Sequence, residues 1–267
     1  MAGEQAILVE IDKLQRERRH RDERALFFVE GIRNLVRAVE HGHRIDTVVA
    51  SDILLTSSVA QKLVRNLARQ RVPIARVPPE DFRAISRAER ASGVGAILHQ
   101  PIVPLHSVKP RAGTCWVVLS RVRSPGNFGS LIRTSAAVGG AGFILVGGAV
   151  DPFDPAVVRA SMGSIFGQTL VRTGSTQLRH WVRRHRLQVV GASPDADLAY
   201  DELAYRRPPL FVLGEERRGL DSEQRNLCDD LVRIPMLPGT DSLNLAIAGS
   251  LLMYESFRAP RRAVRTR

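Results

Sequence analysis

Lysine is almost missing from a chain of 267 residues that is nonetheless strongly basic. It occurs only at Lys13, Lys62 and Lys109, so 36 of the 39 basic side chains are arginine, against 27 acidic ones. A base-composition bias in the genome accounts for arginine over lysine as well as phosphate recognition does. The surplus of +12 survives that objection and points to a polyanion such as RNA or DNA. With no lysine after Lys109, a GxxxxGK[ST] phosphate loop is excluded from the second half, and GxGxxG and GxSxG are absent as well. ATP enzymes, dinucleotide enzymes and α/β-hydrolases are therefore poor candidates. No apolar run of eighteen residues occurs, and the N-terminus MAGEQAILVEIDKLQRERRHRDER has no signal-peptide core. The expectation is a cytoplasmic protein without a membrane segment. Cys115 and Cys228 stand far apart with no CxxC, and His41, His43, His180 and His185 lack the i, i+4 pairing with a carboxylate that zinc hydrolases show. No metal site is expected, and both cysteines read as ordinary thiols.

What is present alternates. Residues 4–20 carry Ile7, Ile11 and Leu14 at helical spacing beside a dense charged face, which predicts a solvated amphipathic helix. The run RERRHRDER, 16–24, reads as its charged continuation, with contact to RNA as the other reading. From 26 to about 99 short strands and helices alternate: LFFVEG, IRNLVRAVEHG, IDTVVAS, SVAQKLVRNLARQR, VPIARVP and AILHQ. Residues 101–113, PIVPLHSVKPRAG, hold three prolines and a terminal glycine and read as a linker. The expected division is an N-terminal domain over 1–100, the linker 101–113 and a second domain over 114–262. In that second domain CWVVLS, GFILVGG, LQVVGAS, PPLFVLG and LVRIPM are continuous apolar runs separated by helical segments, as in a parallel sheet covered on both faces. The fold class is α/β, and in such sheets chemistry sits in the loops at the carboxyl ends of strands.

Three such loops stand out: RVRSPGNFGSLIRTS, GEERRGL and PMLPGTDSLNLAIAG. Singly, their polar residues have dull explanations. Asn127 could cap a helix over 128–138, Arg133 could pair with an acid on a neighbouring helix, Asp241 or Ser242 could cap the last helix, and Asn244 could sit in its first turn. Convergence of several at strand ends, where helix starts present free N–H groups, favours a site for an anionic ligand.

The order and content of these loops resemble a known family. SPGNFGSLIRTSAAVGG, VLGEERRGL and IPMLPGTDSLNLAIAGSLLMYE look like the three motifs of the SpoU, or TrmH-type, RNA ribose 2′-O-methyltransferases of the SPOUT superfamily, and VRASMGSIF at 158–166 resembles their intermediate segment. FFVEGIRNLVRAVE is similar to the start of a ribosomal-protein-L30-like RNA-binding domain. The resemblance implies a small L30-like α/β domain followed by a SPOUT α/β domain whose C-terminal segment threads a trefoil knot, an exception to the rule that chains are unknotted. It further implies a homodimer that binds S-adenosylmethionine without metal and methylates a ribose 2′-hydroxyl, with ribosomal RNA, 23S included, favoured over tRNA by the separate N-terminal domain. A drug-resistance enzyme and a catalytically silent RNA-binding or assembly factor are compatible with the same motifs. Carried over residue by residue, Gly214, Ile234, Met236 and Leu243 line the cofactor pocket, and Asn127, Arg133, Glu215, Ser242 and Asn244 form the catalytic set. Arginine keeps its proton at neutral pH, so a grip on the phosphate beside the target ribose suits Arg133 better than the role of base. Many relatives have an acidic residue where this chain has Ser124.

Overall fold

The structure, a computed structural model, describes residues 2–120, 122–148, 150–205, 208–216, 218–239 and 242–265. Its elements run α1 (Ala2–Arg16), α2 (Arg18–Arg24), β1 (Leu26–Glu30), α3 (Ile32–Glu40), β2 (Ile45–Ala50), α4 (Ser58–Arg69), β3 (Ile74–Arg76), α5 (Pro79–Ile85), β4 (Val94–His99) and β5 (Ile102–Val103). They continue with β6 (Trp116–Leu119), α6 (Pro125–Ala137), β7 (Gly142–Val146), α7 (Pro155–Ser161), β8 (Thr169–Thr173), α8 (Ser175–His185), β9 (Gln188–Ala192), β10 (Leu198–Ala199), β11 (Pro209–Leu213), α9 (Ser222–Leu227), β12 (Asp230–Arg233) and α10 (Leu245–Arg265). Among the described residues no helix is long and apolar enough to cross a membrane. The chain divides into two compact units, Met1–Pro101 with Asp151–Gly167, and Ile102–Val150 with Gln168–Arg267.

The first unit is built on a four-stranded sheet of order β1-β4-β2-β3, with β2 and β3 parallel and the other pairs antiparallel. The amphipathic N-terminal helix is part of its core rather than a solvated appendage: Ile11 and Leu14 are fully buried with Phe28, Phe82 and Ile97. Nor is the basic run 16–24 all surface. Arg21, in α2, is buried; its Nε donates to Asp151 Oδ2 at 2.8 Å and its NH1 to the Leu14 carbonyl at 2.8 Å.

That ion pair draws residues 151–167 into the first unit, whereas the sequence alone assigns them to the second. Asp154 caps α7 by accepting from the Ala156 N–H at 2.8 Å, with Pro155 in the first helical position, where its missing donor costs nothing. The Phe153 ring packs 4.7 Å from that of Phe27, and a His43 ring nitrogen meets the Phe166 carbonyl at 2.8 Å. These are long-range contacts between segments of unlike sequence, so no periodicity announces them.

The second unit carries an eight-stranded sheet of order β10-β12-β9-β11-β6-β7-β8-β5, parallel at every pair. Its continuous apolar strands are buried, as expected: Val117, Ile144, Val171, Val189 and Val212 are fully covered. The segment 101–113 differs from the expected linker. Ile102 and Val103 form the edge strand beside β8, Leu105 and Val108 enter the core, and the Trp181 indole donates to the Val108 carbonyl at 3.1 Å. Prolines are tolerated there because an edge strand leaves one row of N–H positions unused. Burial pushes the Cys115 and Cys228 thiols up to about 12, which keeps both as thiols at neutral pH.

Breaking the buried pair tests its weight. Arg21→Met leaves the Asp151 carboxylate without this partner and is expected to lower stability by about 3 kcal/mol. Arg19→Ala, on the exposed side of the same helix, should shift it by no more than about 0.5 kcal/mol. Urea unfolding of the two variants followed by circular dichroism reads the difference directly.

Candidate active site

The loop after β6 enters α6 through Ser124, whose Oγ accepts from the Asn127 N–H at 3.3 Å, with Pro125 at the first helical position. Ser124, not Asn127, is therefore the cap, and the helix begins at Pro125 rather than 128. This frees the Asn127 side chain for other partners. Its Nδ2 donates to Glu216 Oε1 at 3.3 Å and its Oδ1 accepts from Asn244 Nδ2 at 2.9 Å. One amide thus joins the loops after β6, β11 and β12. Asn244 also caps the start of α10, where its Oδ1 accepts from the Ala246 and Ile247 N–H groups at 2.8 and 3.4 Å. The cap is thus Asn244 and not Ser242, and Asp241, the other cap expected, lies outside the described residues.

The loop after β11 turns back on itself. Glu215 and Gly219 exchange both backbone hydrogen bonds, each 2.9 Å, so the chain passes very close to Gly214. A Cβ on Gly214 would stand 2.2 Å from the Gly219 carbonyl carbon. Side chains on neighbouring residues of such an extended stretch point to opposite sides. The Glu216 carboxylate faces Asn127, while Glu215, 12% exposed, pairs at 3.2 Å with the guanidinium of Arg123, which is 83% exposed. Downstream, Asp221 and Gln224 form a capping box on α9, and Gln224 Nε2 donates to Ser120 Oγ at 2.6 Å, tying this loop to the end of β6.

Two cavities open beside these loops. One, of about 380 Å³, lies at the carboxyl ends of the neighbouring strands β12, β9 and β11 and is lined by Leu213, Gly214, Glu215, Glu216, Val232, Ile234, Met236, Ser242 and Leu243, with Asp195, Arg218 and Arg225 adding charge. The other, of about 420 Å³ and open to solvent, is lined by Arg123, Ser124, Asn127, Glu215 and Glu216. The two share Glu215 and Glu216. Among the described residues no group of three or more His, Cys, Asp or Glu is arranged to hold a metal.

Residues 114–254 match the SpoU rRNA methylase family, and residues 8–96 match the MRM3-like substrate-binding domain. A 23S rRNA (uridine(2479)-2′-O)-methyltransferase of Streptomyces viridochromogenes is 33% identical over 238 residues, 87% of this chain and 82% of its own length. The chain belongs to the SpoU rRNA methylase family. Solved members have the same fold: an AdoMet-bound rRNA methyltransferase from Sinorhizobium meliloti aligns at TM-score 0.87 and 32% identity over 94% of both chains. The SpoU methyltransferase AviRb from Streptomyces viridochromogenes in complex with AdoMet aligns at 0.87 and 30% over 96% of this chain and 98% of its own.

Against the residues this SpoU chain was expected to use, the structure sorts them by place. Gly214, Ile234, Met236 and Leu243 line the first cavity together with Ser242 and Glu215, and Asn127 lines the second while holding Asn244. Arg133 lines neither cavity. It lies exposed on α6 with no hydrogen bond or ion pair among the described residues, so the ion-pair reading finds no partner there. Six residues along a helix are about 9 Å and 240° of rotation, so Asn127 and Arg133 leave α6 on different sides. Glu216 is the residue that sequence alone does not single out. The GEE doublet offers two adjacent carboxylates, and only the direction of the turn decides which one meets Asn127.

The two glycines of these loops should respond in opposite ways. Gly214→Ala drives a methyl group into the Gly219 backbone and is expected to destabilise by about 1–3 kcal/mol, with loss of ligand binding in the first cavity. In Gly126→Ala the new Cβ meets only Ser124 Oγ at 3.8 Å within α6, so stability should hold or rise by about 0.5 kcal/mol. Thermal unfolding of both variants distinguishes them.

Proposed function

We propose that this chain transfers the methyl group of S-adenosylmethionine to a ribose 2′-hydroxyl of ribosomal RNA, 23S RNA being the leading target, with the donor in the first cavity and the acceptor nucleotide in the second. The observation that carries the reading is the junction of the two cavities at Glu215 and Glu216, fixed by the Asn127 amide. The first cavity has the size of a ligand pocket, and its walls suit the cofactor: apolar side chains for a neutral purine, and rim charges of both signs at Asp195, Arg218 and Arg225 for a zwitterionic amino-acid tail. S-adenosylmethionine supplies an electrophilic methyl on a sulfonium centre. The names of the relatives support the acceptor: besides the uridine 2′-O enzyme, a 23S rRNA (adenosine(1067)-2′-O)-methyltransferase of Streptomyces azureus is 26% identical over 85% of this chain.

The chain's own residues do the positioning. In-line displacement needs the reacting oxygen about 3–3.5 Å from the methyl carbon, so the geometry of the junction matters more than any single charge. Asn127 has its donor on Glu216 and its acceptor on Asn244, which makes it a positioning residue that sets where the three loops meet. Glu216 lines both cavities and a carboxylate accepts more hydrogen bonds than the one Asn127 gives it, so it can orient the ribose hydroxyl. Leu243 and Ser242 close the donor side, ahead of the α10 cap at Asn244.

A homodimer completes the arrangement. On α10, Ile247 and Tyr254 are each about half exposed, and with Leu251 they fall at i, i+4 and i+7 on one helix face, an apolar stripe suited to a second copy. Helix α10 packs on α6, where the Thr134 and Ser250 hydroxyls meet at 2.9 Å, so a partner seated on α10 would lie close to the helix that bears Arg133. That supports Arg133 as a phosphate clamp for the partner's acceptor cavity. A cytoplasmic location goes with this reading as part of the proposal.

Titration calorimetry with S-adenosylmethionine and labelled methyl transfer to ribosomal RNA and to tRNA test the reading. Binding with transfer to ribosomal RNA is expected; no binding at millimolar cofactor would sink it, and transfer to tRNA alone would move the target. Asn127→Ala should lower kcat by about 10²-fold through loss of alignment. Arg133→Lys should keep measurable methylation while RNA binding weakens; complete loss of transfer with unchanged RNA binding would instead make Arg133 the base.

A further inference from the structure

We infer that Arg123 holds a backbone phosphate of the RNA at the mouth of the acceptor cavity, exchanging for it the Glu215 carboxylate that holds its guanidinium before RNA arrives. The inference rests on the acceptor reading of that cavity given above. Among the described residues lining the cavity, Arg123 is the one cation, set against the carboxylates of Glu215 and Glu216. An RNA strand must bring its phosphates up to those two carboxylates, and like charges at that distance oppose docking unless a cation intervenes.

The two ends of the Arg123–Glu215 pair differ in freedom. Glu215 is largely buried, and its backbone is pinned to Gly219 in both directions. Arg123 is 83% exposed and holds the carboxylate through one nitrogen, its only hydrogen bond or ion pair among the described residues. A guanidinium has five N–H donors, so most remain open to a second anion. An exposed pair with one contact contributes little to stability, whereas a phosphate can take the guanidinium in a bidentate grip. The carboxylate is thus a fixed cradle and the arginine a movable arm. The alternative is that the pair only ties the loop after β6 to the loop after β11, a link that the Asn127–Glu216 and Gln224–Ser120 bonds already provide.

The test uses the full chain and deproteinised bacterial 23S ribosomal RNA, with filter binding across a range of KCl and calorimetric titration of S-adenosylmethionine in parallel. Arg123→Ala should weaken RNA binding about tenfold and reduce the steepness of log K against log salt by about 0.7–0.9, one phosphate contact, while cofactor affinity holds. Arg123→Lys should keep the salt slope and lose part of the affinity, since a point charge replaces a fork. Glu215→Gln releases the arm and should tighten RNA binding. The double variant Arg123→Glu with Glu215→Arg restores an ion pair but places the cation on the buried side, so RNA affinity should stay low. Wild-type RNA affinity in that double variant, a loss in Glu215→Gln as large as in Arg123→Ala, or no response to Arg123→Ala would overturn the inference. Failure of the wild-type chain to bind cofactor or to methylate would overturn the functional reading instead, because the Arg123 experiment reads RNA affinity alone.

Discussion

The side-chain amide of Asn127 is the constraint on which the site depends. It must donate on one side, to the Glu216 carboxylate, and accept on the other, from the Asn244 amide, and among side chains of that length only asparagine offers both groups at fixed positions. Aspartate would set two carboxylates against each other, and leucine would leave three loops without a common point. Ser124 makes this possible by taking over the cap of α6. Were Asn127 the cap, its oxygen would be turned to the backbone and the loops after β11 and β12 would lose their link. Asn244 extends the chain of dependence, since the residue that fixes Asn127 also starts α10 and so sets the register of the helix that packs on α6.

How far this could be read from the sequence depends on the range of the interaction. The parallel sheet was legible because every central strand is a continuous apolar run between helical segments, and burial on both faces is what such runs require. The three loops that meet at Asn127 stood out because they follow strands and hold polar residues amid glycine and aliphatics. The membership of 151–167 was not, because it turns on Arg21 meeting Asp151 and Phe27 meeting Phe153 across more than a hundred residues. The segment 101–113 misled for a different reason: three prolines signal irregular backbone, yet a short edge strand followed by two buried aliphatics is irregular backbone that is still packed.

The GEE doublet shows a finer limit. Composition places two carboxylates after β11, and the family resemblance draws attention to one of them. Which carboxylate faces which neighbour is set by the turn that Glu215 and Gly219 close. Arg133 shows the complementary limit. Its helix was expected and is present, but helical rotation turns it away from Asn127, and spacing along the sequence does not show which side of the helix each residue takes.

The charges at the junction follow from what must meet there. On the proposed placement, a sulfonium cation in the first cavity would be favoured by the carboxylates that both cavities share, and those same carboxylates would oppose the phosphates of an RNA strand in the second. The chain resolves the conflict by treating its two carboxylates differently. Glu215 pairs with the exposed guanidinium of Arg123, and Glu216 is held by the neutral amide of Asn127 where the two cavities join. On that reading an unpaired carboxylate at the join would suit a cationic donor, while the paired one would let the polyanion approach. The arginine surplus of the whole chain draws RNA in from a distance within the reach of ionic screening; only the placement of individual arginines against individual carboxylates determines where the strand comes to rest.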